Sequence, residues 1–190
     1  MRKVELFVVV IILLVISLFL LLHFNTEKSP TPLAKITPSA KIKNMKILSS
    51  AFENNQTIPS VYTCQGENRI PPLTFTDIPK NTKSLAIIVD DPDAPMGTFV
   101  HWVVYNILPT TSEVKEGEEI PGSTYGKNGA GQMSFIGPCP PTGTHRYFFK
   151  LYALDTTLSI EKGADKSAVE KAMEGYILDH PELIGLYQKK

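Results

Sequence analysis

The sequence GPCPPTGTHRY, from Gly137 to Tyr147, joins a stiff loop to a β-strand that begins with a histidine. Each proline fixes its own φ and removes a backbone donor, so the prolines of this loop set its path. The glycines near its two ends allow the backbone to approach a ligand closely. The segment therefore predicts a small binding site that a rigid loop holds open beside a strand.

Three apolar segments predict buried strands. Residues 84–89 form a short run rich in β-branched side chains, as expected of a central strand. Residues 99–107 and 146–154 are apolar on both faces. A period of two predicts two shared faces, one with Phe99, His101, Val103, Tyr105 and Ile107, the other with His145, Tyr147, Phe149, Leu151 and Ala153. Strands covered on both sides predict a mainly β fold, either a sandwich or a sheet with a helical cover.

One helix is predicted near the C-terminus. Apolar residues recur there at helical spacing, at Ala168, Val169, Ala172, Met173, Tyr176 and Ile177. Asp165 or Ser167 is suited to cap its start, and Pro181 predicts an end near Asp179. The Gly-, Glu- and Ser-rich residues 110–131 predict a long surface loop.

The N-terminus predicts a membrane anchor at residues 1–24. Residues 6–22 are apolar apart from Ser17, contain no charge and follow Arg2 and Lys3. This length is near the lower limit for a spanning helix. A cleaved signal peptide is the alternative, although no small-x-small site follows the run. The basic tail favours an inside N-terminus, so we expect a single-pass membrane protein with an extracytoplasmic domain.

Residues 25–44 are rich in Pro, Thr, Ser and Lys and predict a linker, which leaves residues 45–190 as the folded domain. As a flexible coil, the linker would span roughly 25 Å. The net charge of the chain is zero, but the N-terminal residues 1–43 are basic and the domain is mildly acidic. Because nucleic-acid binders need a basic face, this charge distribution argues against nucleic acid as a partner.

The two cysteines, Cys64 and Cys139, allow two interpretations. In an extracytoplasmic domain they can form a disulfide, and in a reducing compartment they would be two buried thiols. Neither belongs to a CxxC pair, which argues against zinc.

The sequence DDPDAP, at residues 90–95, places carboxylates where the strand at residues 84–89 ends. One interpretation is an Asx-type turn, in which the aspartates cap their own backbone. The other is a ligand site, because His101 and His145 also lie at or near strand starts beside such turns. A histidine can donate to an anion, and a nearby carboxylate favours its protonated form. Asp91 or Asp93 with these histidines predicts a polar hole for phosphate, a carboxylate or a zwitterion such as phosphoethanolamine.

Enzyme signatures are absent from the sequence. It has no G-x-S-x-G elbow, P-loop or H-E-x-x-H motif, and its prolines break the spacing of an EF-hand loop. A histidine suited to acid–base chemistry is present, but no nucleophile with a paired base. We therefore expect neither an enzyme, nor a metal site, nor a cofactor; a metal-dependent hydrolase is the weakest alternative.

Taken together, the motifs resemble those of the phosphatidylethanolamine-binding protein (PEBP) family, in particular its bacterial and archaeal Raf kinase inhibitor-like branch. The resemblance covers about residues 45–188. It rests on residues 91–95, His101-Trp102 and residues 137–147, together with residues 62–68, 71–73 and 182–187. One departure is Tyr176, which follows Gly175 where many relatives have histidine, and which is expected to alter the lip of the pocket.

The resemblance implies a large antiparallel sheet, a smaller sheet, peripheral helices and an anion pocket at one end of the large sheet. It also implies a cis bond between Ala94 and Pro95, and a supporting role for Asp93 in the turn. The residues that it implies for the pocket lining are Asp91, Ala94, His101, Gly137, Pro138, His145 and Tyr147.

Three functions remain open at this point. The first is a membrane-tethered binding module for a small anionic or phosphorylated ligand, such as a phospholipid head group. The second is a modulator of a protein partner, for example a kinase or protease inhibitor that uses residues 110–131 as its exposed loop. The third, a hydrolase, has the least support.

Overall fold

The computed structural model describes residues 44–190 of the chain. The predicted anchor at residues 1–24 and the linker that follows it lie outside the described residues, apart from Asn44. Within residues 44–190, no helix is long and apolar enough to cross a membrane.

Two β-sheets make up the domain. The small sheet contains β1 (Lys46–Leu48), β3 (Leu73–Thr76) and β6 (Glu113–Val114), in the order β1-β3-β6. The large sheet contains β2 (Gln56–Thr57), β4 (Ser84–Asp91), β5 (Phe99–Ile107), β7 (Thr124–Tyr125), β8 (Thr144–Leu154), β9 (Ile177–Asp179) and β10 (Glu182–Gln188). Its order is β2-β10-β8-β4-β5-β7, with β9 paired to β8. All pairs are antiparallel except β2 with β10.

The large sheet separates two hydrophobic cores. On one face, Leu85, Ile87 and Phe149 belong to the core that also contains residues of the small sheet. On the other face, Ala86 and Ile88 pack with α1 (Lys166–Met173). Every residue of β4 is buried because both of its faces are covered. The predicted mainly β fold, with a large sheet, a smaller sheet and a helix near the C-terminus, is confirmed.

A β-bulge at His101 overturns the predicted faces of β5. Val89 pairs with Trp102 while Asp90 pairs with Val100, so His101 is an additional residue in the ladder. A bulge of this kind re-aims the side chains around it. The ring of His101 consequently lies against Tyr147, on the same side of the sheet as Trp102.

A second irregularity in β5 lies opposite Ala86, where Asn106 adopts a φ of 55°. It brings Ile107 into the core shared with the small sheet. Val103 and Tyr105, which a strict period of two would place beside His101, instead pack under the helix. The prediction of one continuous face from Phe99 to Ile107 was wrong because it assumed a regular strand.

Helix α1 is shorter than predicted. Asp165 caps its start by accepting a hydrogen bond from the Ala168 amide at 2.9 Å. The helix ends at Met173 because Gly175, two residues on, has a φ of 81°, the conformation of a C-terminal helix cap. Ile177 therefore begins β9 rather than extending the helix.

Residues 110–131 are less free than the predicted surface loop. They contain β6 and β7, and Val114, Ile120 and Tyr125 are buried in the core. The Tyr125 hydroxyl accepts a hydrogen bond from the Ile120 amide at 2.7 Å. An inhibitory role that required this whole segment to be exposed has no support in the fold.

Candidate functional site

Three neighbouring strands bring the predicted ligand-binding side chains to one end of the large sheet. Strand β4 lies between β5 and β8 and is antiparallel to both. The C-terminal end of β4, with Asp91, therefore meets the N-terminal ends of β5 and β8, with His101 and His145. The fold assembles at one place three residues that are distant in the sequence.

Asp91 and His145 form a buried pair. Nδ1 of His145 lies 2.7 Å from Oδ2 of Asp91, and their side chains are 8% and 5% exposed. Oδ1 of Asp91 accepts from the Asp93 amide at 2.8 Å. A carboxylate accepts but does not donate, so Nδ1 of His145 carries the hydrogen. Nε2 of His145 is left for another partner.

His101 is oriented by the backbone of the opposite wall. Its Nδ1 lies 2.6 Å from the Ile136 carbonyl oxygen, and the Ile136 amide donates to the His101 carbonyl at 3.0 Å. Since a carbonyl oxygen only accepts, Nδ1 again carries the hydrogen and Nε2 is free. Burial lowers the pKa of His101 and so favours the neutral ring. Neutral His101 therefore presents an acceptor at Nε2.

Tyr147 contributes a buried hydroxyl group without a hydrogen-bond partner in the described chain. The Cys139 amide lies close to it but is itself a donor, so the hydroxyl hydrogen has no acceptor. Burial, with a smaller contribution from the negative charge of Asp91, raises the pKa of Tyr147. The Tyr147 side chain is therefore a neutral donor without an acceptor among residues 44–190.

These residues line a cavity of about 520 Å³. Six of the seven predicted lining residues contribute to its wall: Asp91, Ala94, His101, Gly137, His145 and Tyr147. The rest of the wall is largely apolar and was not predicted; it includes Pro95, Met96, Phe99, Ile136, Pro140 and Pro141. Their positions in the sequence, close to predicted site residues, were the signal that could have identified them as wall residues. The cavity has the size of a pocket for a small organic ligand rather than for a bare ion.

Pro138 is the exception among the predicted lining residues. It is buried behind the wall, where its carbonyl oxygen accepts from the Cys64 amide at 3.1 Å. Its neighbour Gly137 donates its amide to the Asn68 side chain at 2.7 Å. A Cβ atom at Gly137 would lie 2.4 Å from the Tyr62 carbonyl oxygen, so only glycine fits. Pro138 supports the wall from outside, which corrects its predicted role.

Cys64 and Cys139 form a disulfide with a Cα–Cα distance of 5.4 Å. Both residues are exposed, so the alternative of two buried thiols does not apply. Cys139 also lines the cavity. The disulfide thus joins the cavity wall to the turn at residues 63–66.

Asp93 and Arg146 fix the turn beside the cavity. Asp93 accepts from Nε and Nη2 of Arg146 at 2.9 and 2.6 Å, and from the Arg146 amide at 3.0 Å. Hydrogen bonds from the Arg146 side chain lower the pKa of Asp93 to about 2. Both carboxylate oxygens face the arginine, so the structure gives Asp93 a supporting position rather than a place in the wall.

The turn that follows is a trans-proline turn. The Gly97 amide donates to the Ala94 carbonyl at 3.1 Å, and Gly97 has a φ of 98°. Proline at the second position and glycine at the fourth are typical of a type I turn. No cis peptide occurs in residues 44–190, so the expected cis bond before Pro95 is wrong. The trans bond already closes the turn.

Two further expectations concern Tyr176 and metal binding. Tyr176 lies beside β9, where its carbonyl accepts from the Asp155 amide, beyond the end of β8 that is opposite to the cavity. It therefore does not shape the lip. Among the residues that the structure describes, no cluster of three or more His, Cys, Asp or Glu side chains has a geometry for holding a metal.

A two-sheet β fold with a cavity at one end of the large sheet defines a ligand-binding class of protein. The model of the phosphatidylethanolamine-binding protein family matches residues 48–188. The chain belongs to this family.

Relatives and solved structures agree with this membership. A UPF0098 protein from Methanothermobacter thermautotrophicus is 49% identical over 150 residues, which cover 76% of this chain and 99% of the relative. The crystal structure of the PEBP homologue CT736 from Chlamydia trachomatis has a TM-score of 0.75 at 43% identity, covering 77% of this chain and 99% of CT736. Escherichia coli YbcL, described as a member of the mammalian PEBP family, has a TM-score of 0.73 at 27% identity, with coverages of 78% and 100%.

Proposed function

We propose that the domain is a binding module whose cavity holds the phosphoryl or carboxylate group of a small ligand, such as a phospholipid head group. The observation that carries the proposal is the buried, unpartnered hydroxyl of Tyr147 in the cavity wall. A buried polar atom left without a partner costs about 1–3 kcal/mol. A ligand oxygen that accepts from this hydroxyl removes that cost. The name of the family, phosphatidylethanolamine-binding protein, points to the same chemistry.

The protonation of His101 determines which form of the ligand fits. Neutral His101 accepts at Nε2, so it is suited to a ligand oxygen that carries a hydrogen. A ligand oxygen without a hydrogen requires that His101 itself be protonated. A phosphate monoester holds its second proton below a pH of about 6. In either case binding takes up a proton. We therefore expect tighter binding near pH 6 than near pH 8.

The amine of a zwitterionic ligand has a weaker case than its phosphate. Both oxygens of Asp91 are engaged, by His145 and by the Asp93 amide. Asp93 is engaged by Arg146. An ammonium group would have to share these oxygens with donors that are already bound, so recognition of phosphate, and not of the amine, is the centre of the proposal.

The test is a titration of the full chain, in a mild detergent, with phosphoethanolamine, followed by NMR. Saturable shifts at His101, His145 and Ala94 are expected. Tyr147→Phe removes only the hydroxyl and should weaken binding about tenfold, the equivalent of 1.4 kcal/mol.

Tyr105→Phe is the matched control. Tyr105 also has a buried hydroxyl, but that group donates to the Glu161 carbonyl on the other side of the sheet. This variant should bind as the unmodified chain does. Absence of shifts at millimolar ligand, or equal affinity of Tyr147→Phe and Tyr105→Phe, would contradict the proposal.

We also infer that residues 1–24 anchor the domain to a membrane, with residues 25–44 as its linker, because of their apolar run and Pro-rich composition. A reporter fused after Lys190 tests the orientation. Reporter activity on the extracytoplasmic side supports the inference, and activity in the cytoplasm overturns that placement.

A further inference from the structure

The disulfide has an unusual position, because it forms part of the cavity wall and is also exposed. Cys139 lines the cavity, and the disulfide bond ties it to Cys64 in a separate turn. Both cysteine residues are exposed to solvent. Exposed disulfides are the ones that thiols reach and exchange most readily.

The wall segment that contains Cys139 is anchored unevenly. Residues 136–138 are held by hydrogen bonds, from Ile136 to His101, from Gly137 to Asn68, and from Cys64 to Pro138. In contrast, no hydrogen bond joins residues 140–143 to the rest of the described chain. The next anchor is Thr144, where β8 begins and pairs with Gln188. The disulfide is therefore the cross-link that fixes the middle of this segment.

The part without hydrogen bonds includes residues of the cavity wall. Pro140 and Pro141 line the cavity, and the Cys139 amide lies close to the Tyr147 hydroxyl. Loss of the cross-link would free these groups while leaving Ile136 on His101. The effect would thus fall first on the surroundings of the Tyr147 hydroxyl, which the Cys139 amide adjoins.

We propose that the Cys64–Cys139 disulfide is a redox control of ligand binding in the cavity. The oxidised chain holds the wall segment in a closed position that binds the ligand, and the reduced chain releases this segment. This proposal rests on the proposed ligand-binding function. A thiolate of a dithiol attacks one cysteine sulfur, the S–S bond breaks, and the other cysteine leaves as a thiolate. The second thiol of the reductant then displaces the first cysteine. Two cysteine thiols and one oxidised dithiol result.

The experiment compares the full chain, in detergent, before and after reduction with dithiothreitol, using phosphoethanolamine as the probe. If the closed wall is populated in about one reduced molecule in ten, the affinity falls about tenfold. Ring-labelled tyrosine gives a second readout that needs no ligand. The NMR signal of Tyr147 should shift on reduction, while that of Tyr105, whose hydroxyl donates to Glu161 on the other side of the sheet, should not.

The double variant Cys64→Ser/Cys139→Ser is the control for the reductant. It should match the reduced chain in affinity and in the Tyr147 signal, and dithiothreitol should not change it further. An unchanged Tyr147 signal on reduction overturns the proposal, as does a change in affinity of less than about twofold. If neither form binds phosphoethanolamine, the ligand proposal fails, and the Tyr147 signal still decides whether the disulfide controls the wall.

Discussion

Asp90 and Asp91 are neighbours at the end of β4, and they face opposite sides of the large sheet. Both are buried, with exposures of 1% and 3%. Asp90 accepts from Nζ of Lys150 at 2.9 Å and from Nζ of Lys166 at 2.5 Å. Asp91 accepts from His145 at 2.7 Å and borders the cavity.

Asp90 and Asp91 differ in whether their hydrogen-bonding partners keep a free hydrogen-bonding atom. The two lysines close the Asp90 side, and Lys166 ties the sheet to the start of α1. His145 uses only one ring nitrogen on Asp91 and keeps the other for the cavity. A buried carboxylate alone is therefore no mark of a ligand site. The mark is a partner that retains a free hydrogen-bonding atom beside an opening.

Replacing Asp90 should break the closed side with the largest effect. Asp90→Asn leaves two lysines without their carboxylate, and breaking a buried ion pair costs about 3–5 kcal/mol. We expect a loss of unfolding free energy near the lower end of that range, because the lysine side chains are 26% and 21% exposed. Urea denaturation measures it. Phosphoethanolamine affinity of the folded variant should be unchanged, and a selective loss of affinity would refute the structural role.

The same substitution at Asp91 should give the reverse pattern. In Asp91→Asn the amide oxygen can still accept from His145, so the expected loss of stability is only about 1–2 kcal/mol. Ligand affinity should nevertheless fall, because a neutral amide oxygen is a weaker acceptor than the carboxylate and holds the His145 ring less firmly beside the cavity. Parallel urea and NMR titrations of the two variants measure both effects. Equal stability losses with intact binding in Asp91→Asn would end the distinction between the two faces.

The smallest expected effect is the pH dependence of stability that His101 contributes. Burial lowers its pKa in the folded chain, so the unfolded chain takes up a proton near pH 6.5 while the folded chain resists it. Stability is thus full above pH 6.5 and declines below it, by at most about 1.4 kcal/mol per pH unit. His101→Gln should flatten this decline between pH 6.5 and 5.

Asp93 does not interfere with that measurement. Its pKa is lowered to about 2, so its contribution is present above the ordinary carboxyl pKa of 3.8 and is lost only below it. The difference between the unmodified chain and His101→Gln in urea denaturation at pH 7, 6 and 5 therefore isolates the contribution of His101. An identical slope in His101→Gln would show that another group carries the decline.

The sequence was sufficient for features that depend on local composition. The apolar run at residues 84–89 predicted β4 because a strand buried on both faces needs such residues. The positions of Asp91, His101 and His145 at strand ends predicted that they meet. The sequence offered Asp165 or Ser167 as the cap of α1, and the side chain of Asp165 is the one that accepts from a nearby amide.

Features that depend on distant partners could not be predicted in the same way. The bulge at His101 exists only relative to the register of β4, which no local pattern records. The end of α1 at Gly175 was obscured because Tyr176 and Ile177 continue the helical spacing by coincidence. The position of Pro138 behind the wall follows from its contact with Cys64, which is remote in the sequence.

The bulge also separates two roles that a strand residue usually combines, namely pairing within the sheet and presenting a side chain to the ligand. Val100 and Trp102 already occupy consecutive positions opposite Asp90 and Val89. A chain that lacked His101 would pair there as a regular strand, with the same neighbours in register. His101 is thus one residue more than the sheet requires. The histidine that faces the cavity is an insertion into a complete strand, so the sheet and its ligand-facing group can change independently.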